Sequence, residues 1–247
     1  MPPILLWRGR LSRKKSTISQ IPIPRHQAGF LLSKEYMNYR TIDTSGQITA
    51  VITTPIQPGR LSELAKTIMG QNPLVEQVGY LQGNLFAMMG GELSINGLIA
   101  AAFTIGNSGK VNNCDFIIKK NTVSINLPMS IVSTINKNVV ELEGINYKVI
   151  PGLPKNKKIT ITMKKMLLDM CIKSPAAGLI YYENQEIVPL IFVRATNTYV
   201  WENACGSGSL AYSMITSENR VIQPSGDVII FNQLLDTITV TETVKEL

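Results

Sequence analysis

Histidine is almost absent from this sequence. Its 247 residues contain one histidine, His26, which lies within the first 36 positions. A Ser-His-Asp or Cys-His site needs an imidazole as its base, and a catalytic zinc site usually has at least one histidine ligand. Residues 37–247 alone can build none of these sites, so acid–base chemistry there must come from Cys, Asp, Glu, Lys or Tyr.

Cysteine is also scarce, and long apolar runs are missing. Cys114, Cys171 and Cys205 are the three cysteines, and no Cys-X-X-Cys motif occurs. An odd number of cysteines is typical of a reducing compartment rather than of a disulfide scaffold, so we expect a cytoplasmic protein. We expect Cys114 and Cys171 to be core thiols, because free cysteine is often simply buried. No apolar run reaches the roughly 18 residues that span a bilayer, so no membrane partner is expected.

Positive charge is concentrated at the N-terminus. The formal net charge is +7, and residues 1–36 hold seven Lys and Arg residues against one acidic residue, Glu35. The body is therefore nearly neutral, which argues against a nucleic-acid partner for it. Three interpretations of residues 1–36 compete: an organellar transit segment, a mispredicted start ahead of Met37, which we prefer, or a disordered arm. Each interpretation gives this extension little part in the fold, although a basic arm could bind RNA or a membrane surface.

From residue 37 onwards, short strand patterns alternate with a few helical ones. This mixture favours an α+β fold over a doubly wound parallel sheet. Helices are predicted at 61–69, 98–105, 160–172 and 206–216. Strands are predicted at 38–42, 49–54, 77–81, 85–89, 115–119, 122–126, 139–142, 147–150, 179–182, 190–193, 198–201, 228–231 and 237–241.

Two segments echo each other at a separation of 111 residues, namely Ser94–Ala100 and Cys205–Ala211. In each, a small nucleophilic side chain precedes a polar-Gly step that opens an Ala-rich helix. Free amides at a helix start can hold an anion such as a carboxylate. A duplication would set two such helix starts against one shared ligand, whereas the alternative, equally weighted, is two unrelated Gly-rich helix caps.

The same two segments resemble the motifs of a known family. Ser94-Ile95-Asn96-Gly97 and Ala204-Cys205-Gly206-Ser207-Gly208 are similar to the Cys-Gly-Asn-Gly and Ala-Cys-Gly-Thr/Ser-Gly motifs of the diaminopimelate epimerase-like superfamily of cofactor-independent amino-acid racemases and epimerases. The short spacing from Trp201 to Cys205 is most similar to the histidine racemases of opine-metallophore biosynthesis. The resemblance covers Met37 to about Val244.

The resemblance implies a fold, an activity and a site. It implies two similar halves, residues 37–124 and 125–247, each a sheet wrapped around a central helix, with the active site in the cleft between them. The last strands can return to the first half. The activity implied is racemisation of histidine or a similar amino acid by proton exchange at Cα, with no cofactor and with a possible homodimer. Cys205 and Ser94 would be catalytic, and the substrate would be bound by Gln47, Gln77, Ile95, Asn96, Glu202, Asn203, Gly206 and Ser207. A helix N-terminus is expected to lower the pKa of the Cys205 thiol.

Ser94 is the main departure from the resembled family, which has a cysteine at that place. A serine hydroxyl has a far higher pKa than a thiol, so it is a poor base without an adjacent base. Four readings stay open: a slow or one-sided racemase, a dehydratase or isomerase variant, a catalytically impaired amino-acid-binding homologue, or an engineered Cys→Ser change. Ile95 in place of the family's glycine also weakens the first anion-binding turn.

Overall fold

The computed structural model describes residues 19–22, 36–57 and 59–247. It confirms the α+β class, with strands forming most of the molecule around four α-helices in the described part. The elements up to residue 128 are β1 (Ser19–Pro22), β2 (Tyr36–Thr44), β3 (Gln47–Ile52), α1 (Leu61–Gln71), β4 (Gln77–Gln82), β5 (Leu85–Met88), α2 (Ile95–Ile105), β6 (Ser108–Val111), β7 (Cys114–Lys119) and β8 (Thr122–Pro128).

The remaining elements begin with a short 3-10 helix at Met129–Ile131. They continue as β9 (Val132–Asn136), β10 (Val139–Leu142), β11 (Ile145–Pro151), α3 (Ile161–Met170), β12 (Ala176–Glu183), β13 (Glu186–Val193), β14 (Thr198–Trp201), α4 (Gly206–Thr216), β15 (Arg220–Ile222), β16 (Val228–Leu234) and β17 (Thr237–Glu246). Within the described residues, no helix is long and apolar enough to cross a membrane.

The two halves of the chain repeat one order of elements. In the first half, β3 and β4 pair in parallel with α1 between them, and β5 then pairs antiparallel with β4. In the second half, β11 and β12 pair in parallel with α3 between them, and β13 pairs antiparallel with β12. A parallel pair needs a crossover of this kind. Since α2 and α4 follow at equivalent places, the topology supports a duplication rather than two unrelated caps.

Each half wraps its strands around one central helix. Helix α2 contacts β2–β6, β8 and β17, and helix α4 contacts β10–β12, β15 and β16. A helix that is apolar on all sides belongs inside a core, and α2 is buried without interruption from Ile95 to Ala102. Small residues such as Ala100–Ala102 let strands approach from several sides. Helices α1 and α3 lie on the outside of their sheets, against β4 and against β12 and β13.

Strand β17 joins the two halves. Its residues Thr237–Thr241 pair with β16, and Thr237–Thr243 also pair with β8. Its end, Val244–Glu246, pairs with β2. The last strand therefore returns to the first half of the chain, while a domain boundary near residue 124 stays a prediction.

Part of the N-terminal extension does take part in the fold. Strand β1 pairs antiparallel with Tyr36–Tyr39 of β2. Strand β3 pairs with one edge of β2. Strands β1 and β17 share the other edge, with β1 near the start of β2 and β17 near its end. The extension thus contributes one strand to the sheet, contrary to our expectation for the described part. The other residues of 1–35 lie outside the described residues, and so does His26.

Three further strands, β6, β9 and β15, were not predicted from the sequence. Strand β6 is four residues long and contains Gly109, and β15 is three residues long. Strand β9 has mostly exposed side chains and shows no apolar alternation. Pairing with neighbouring strands stabilises these segments as strands, although their local sequence does not predict it.

Candidate active site

The side chains of Ser94 and Cys205 cap the two central helices in the same way. Both residues have extended backbones. Ser94 Oγ accepts a hydrogen bond from the Gly97 N–H at 3.0 Å, and Cys205 Sγ accepts one from the Gly208 N–H at 3.3 Å. The two predicted catalytic residues are therefore equivalent N-caps. Helix α2 begins three residues earlier than predicted, because Ser94 satisfies its first turn.

The two helix starts also bond to each other. The Ile95 N–H donates to Ser207 Oγ at 3.0 Å, and the Gly206 N–H donates to Asn96 Oδ1. Asn96 and Ser207 occupy equivalent places in the repeat, so the two bonds are reciprocal. The polar atoms of both side chains, predicted to bind substrate, hold the helix ends together in this structure.

Two backbone amides at this junction belong to the first turns of the two helices. Asn96 and Ser207 are the second residues of α2 and α4, so their N–H groups have no acceptor within their own helix. Orphan amides at helix N-termini bind anions readily. The junction can therefore hold a carboxylate between the two helices, as the motifs predict.

Glu242 of β17 lies against the same junction. Asn96 Nδ2 donates to Glu242 Oε2 at 3.2 Å, and a Cβ atom placed on Gly206 would lie 2.7 Å from Glu242 Oε1. Burial raises the pKa of this carboxyl to about 8, and contact with Ser45 only partly offsets it. The sequence analysis missed Glu242, which lies 146 residues from Asn96 and has no local signal.

A small cavity of about 30 Å³ lies between the two halves. Gln77 and Ser94 line it from the first half, and Tyr147 and Glu202 line it from the second. This volume suits a water molecule, whereas ligand pockets usually enclose about 300–1,000 Å³. The cavity therefore has room for a water molecule and is smaller than a typical ligand pocket.

Cys205 is enclosed by titratable groups. Its Sγ lies 3.8 Å from the Tyr147 hydroxyl, and the Glu202 carboxyl interacts with the thiol. Burial raises the pKa of Cys205 well above its usual range, and the negative charge of Glu202 raises it further, while the Gly208 N–H lowers it. Our expectation of a lowered pKa was wrong, because loss of solvent outweighs the helix N-terminus. Cys205 is a thiol, suited to donate a proton.

Glu202 is a buried carboxyl that holds its proton near neutral pH. Burial raises its pKa to about 8, and interactions with Cys205 and Gln47 lower it only in part. Glu202 Oε2 and Gln47 Nε2 have no hydrogen-bond partner among the described residues. The Gln47 amide nevertheless lies close enough to the Glu202 carboxyl to lower its pKa, so these two predicted site residues lie next to each other.

The Ser94 side is bonded to neutral groups. Ser94 Oγ donates to Gln77 Oε1 at 2.9 Å, and Gln77 Nε2 donates to Thr49 Oγ1 at 2.7 Å. Gln77 is thus brought to the site as predicted, but its amide orients the Ser94 hydroxyl and is not free for substrate.

Asn203 closes the edge of the site. Its backbone N–H donates to Glu76 Oε2 at 3.3 Å, and its side-chain Nδ2 donates to Glu76 Oε1. Burial raises the pKa of Glu76 to about 7, although both contacts with Asn203 lower it. This pair bridges the two halves beside the cavity.

The cavity lining is acidic. Glu76, Glu92 and Glu202 line it, and no Lys, Arg or His does so among the residues that the structure describes. The sequence analysis missed Glu92 and Tyr147. Glu92 could have been noticed two residues before Ser94, whereas Tyr147 has no motif around it. No described group of three or more His, Cys, Asp and Glu side chains is arranged to hold a metal ion.

Known proteins resemble this chain in sequence. The model of the family described as the histidine racemase CntK N-terminal domain matches residues 113–245. A curated histidine racemase from Fusobacterium nucleatum subsp. nucleatum is 24% identical over an alignment of 235 positions. The match covers 78% of this chain and 87% of that protein. The residues matched by the family model include the Cys205 motif, which confirms the resemblance drawn from that motif.

Solved structures share the fold. A predicted epimerase from Pseudomonas aeruginosa gives a TM-score of 0.56 at 10% identity and covers 85% of this chain and 96% of its own. A hydroxyproline epimerase from Agrobacterium vitis, with bound trans-4-hydroxy-L-proline, gives 0.52 at 10% identity, with 85% and 90% covered. At such identities these structures show the fold alone.

Proposed function

The chain belongs to the histidine racemase CntK N-terminal domain family, and from this premise we propose that it racemises histidine without a cofactor. Cys205 serves one face of the substrate Cα and the Ser94 position serves the other. The observation that carries the proposal is the meeting of two equivalent helix N-termini, capped by these two side chains, beside one cavity shared by both halves.

The helix junction binds the substrate carboxylate. The N–H groups of Asn96 and Ser207 donate to its oxygens. When the Cα proton leaves, negative charge spreads into this carboxylate, and the same amides stabilise the enolate that forms. The reciprocal bonds of Ile95 and Gly206 keep the two donors fixed, so little reorganisation is needed during the reaction.

The acidic lining fits a substrate with two cationic groups. The α-ammonium and a protonated imidazole are attracted to Glu76, Glu92 and Glu202. A cation next to a buried carboxyl lowers its pKa, so binding of histidine converts Glu202 into a carboxylate. That carboxylate then accepts the Cys205 proton when the thiol acts as a base and returns it when the thiol acts as an acid.

A second candidate function is binding of an amino acid without turnover. The observation that favours it is the environment of Ser94, whose hydroxyl bonds to Gln77 and to the Gly97 N–H and to no base among the described residues. A protein of this kind would bind histidine and exchange no Cα proton.

Exchange of the Cα proton with heavy water separates the two functions. The protein is incubated with L- or D-histidine, proline, glutamate or diaminopimelate, and loss of the Cα–H signal is followed by NMR. We expect exchange of histidine that disappears in Cys205→Ala. Binding of histidine without exchange, in the wild type and in Ser94→Cys, would establish the binding function instead.

A further inference from the structure

The Ser94 hydroxyl has no base among its bonded partners. It donates to Gln77 Oε1 at 2.9 Å and accepts from the Gly97 N–H at 3.0 Å. An amide oxygen does not take up a proton at neutral pH, so neither contact activates the hydroxyl. Proton transfer on this face needs another group.

Glu92, two residues before Ser94, is a buried carboxyl without a full set of partners. Its residue is 8% exposed, and Oε2 has no hydrogen-bond partner in the described part of the chain. Glu92 and Ser94 together line the cavity of about 30 Å³ and a neighbouring one of about 180 Å³. Burying an unsatisfied carboxyl is costly, so a fold that needed only packing would favour an apolar side chain here.

The chain makes room for this carboxyl. A Cβ atom on Gly90 would lie 2.4 Å from Glu92 Oε2 and 2.6 Å from Val193 Cγ1. Glycine at position 90 therefore lets the carboxyl lie against the backbone. The backbone groups of Gly90 and Glu92 lower the pKa of this carboxyl, but burial raises it more.

The groups that face Glu92 are acidic or phenolic. No Lys or Arg lines either cavity among the described residues. Acidic neighbours favour the protonated form, and a cationic substrate favours the ionised one. The facing titratable groups are Glu76, Tyr147 and Glu202 in the small cavity and Glu143 in the larger one.

We propose that Glu92 is the acid–base group on the Ser94 face of the substrate; this inference rests on the proposed function. The Glu92 carboxylate takes the Cα proton, and the electron pair of the C–H bond passes into the substrate carboxylate as an enolate. The Cys205 thiol then gives its proton to the opposite face. Glu92 ends as a carboxylic acid and Cys205 as a thiolate, and the reverse reaction exchanges these roles.

The larger cavity gives Glu92 a path to solvent. It is lined by the exposed residues Ala87, Gly91, Asn112 and Glu143 as well as by Glu92 itself. A proton taken by Glu92 therefore exchanges with bulk water without passing Cys205. In heavy water, each enantiomer of histidine should report on one face of the site.

The test follows Cα–H exchange of L-histidine and D-histidine separately in heavy water, using the full-length protein. Glu92→Gln, which keeps the shape of the side chain, should lower exchange of one enantiomer by about 100-fold or more, and Cys205→Ala that of the other. Glu186→Gln, at an exposed carboxylate that lines neither cavity, is the matched control and should stay within about twofold of the wild type for both enantiomers. Glu92→Asp should restore part of the lost exchange with a shifted pH profile. The enantiomer unaffected by Glu92→Gln shows that this variant is folded.

Three outcomes would overturn the inference. If Glu92→Gln leaves exchange of both enantiomers within about threefold of the wild type, the role of Glu92 is refuted and the proposed function still stands. Equal loss for both enantiomers, with a raised KM, would make Glu92 a binding or structural group. A folded wild type that exchanges neither enantiomer would refute the proposed function, and the role of Glu92 with it.

Discussion

At the N-terminus of α2 the capping side chain is the Ser94 hydroxyl, whereas at the N-terminus of α4 it is the Cys205 thiol. The hydroxyl bonds to the neutral amide of Gln77, and the thiol lies beside Tyr147 and Glu202. The backbone geometry of the two caps is the same. A repeated helix start therefore determines the position of a reactive group, while residues from distant strands and loops determine its acid–base properties.

The first helical residues differ as well. Ile95 begins α2, and Gly206 begins α4. A Cβ atom on Gly206 would lie 2.9 Å from the Ile95 Cβ, so the two helices approach each other closely only because one of them has no side chain there. The isoleucine that departs from the resembled motif is accommodated by the glycine of the other half.

The largest effect should come from making the two caps alike. Cys205→Ser leaves a hydroxyl at both helix starts and should lower racemisation of histidine by at least about 100-fold. Ser94→Cys leaves a thiol at both and should raise it by about tenfold, because a thiol is much the better base. Chiral chromatography of D-histidine formed from L-histidine measures both rates. Cys114→Ala is the matched control, since Cys114 is a buried thiol in β7 that caps neither central helix. Equal losses in Cys114→Ala and Cys205→Ser would contradict this prediction.

A smaller effect should come from breaking the reciprocal bonds one at a time. Asn96→Ala leaves the Gly206 N–H and Glu242 Oε2 unpaired, and we expect a loss of about 2–3 kcal/mol in the free energy of unfolding. Ser207→Ala removes the hydroxyl that accepts from the Ile95 N–H and donates to the partly buried Leu93 carbonyl, and it should cost about 1 kcal/mol. Urea unfolding measures both changes. A greater loss in Ser207→Ala would show that the two bonds are not equivalent in the way their geometry indicates.

A further effect, on the pH dependence of stability rather than on stability at one pH, concerns Glu242, which lies against both helix starts. Folding raises its pKa from 4.5 to about 8, so between these values the unfolded chain loses the proton first. Stability therefore falls as pH rises through this window. Glu242→Gln should remove up to about 1 kcal/mol per pH unit from that slope. Urea unfolding at pH 5, 6.5 and 8 gives the slope, and equal slopes in the two proteins would refute the raised pKa.

Sequence patterns predicted the start of α4 correctly and that of α2 three residues too late, and both signals are local. A small polar side chain before a polar-Gly step predicts a capped helix at Ser94 and at Cys205, and both caps are observed. The ten predicted site residues gather around the two helix starts for the same reason, since they lie in or near short motifs. The use of Asn96 and Ser207 for contacts between helices could not be predicted, because each contact needs both halves in place.

What the sequence could not predict depends on burial. The pKa of Cys205 was expected to fall and is raised instead, because the thiol is enclosed by Tyr147 and Glu202. Glu242 lies 146 residues from the side chain that it contacts. Strand β9 pairs with β10 although its own side chains are exposed. Each of these features is set by a partner that is distant in the chain or by the loss of water around a side chain.

Strand β17 has a consequence for how the protein emerges during synthesis. It lies between β8 and β16 and ends against β2, so Val244 is paired with Thr44. The ribosome delivers this strand after the sixteen other described strands, although N-terminal domains generally fold first. Until β17 has been synthesised, the edges of β2 and β8 that it covers are without this partner. Exposed sheet edges of this kind promote aggregation. The nascent chain can therefore complete the sheet of its first half only when nearly all of its second half has left the exit tunnel.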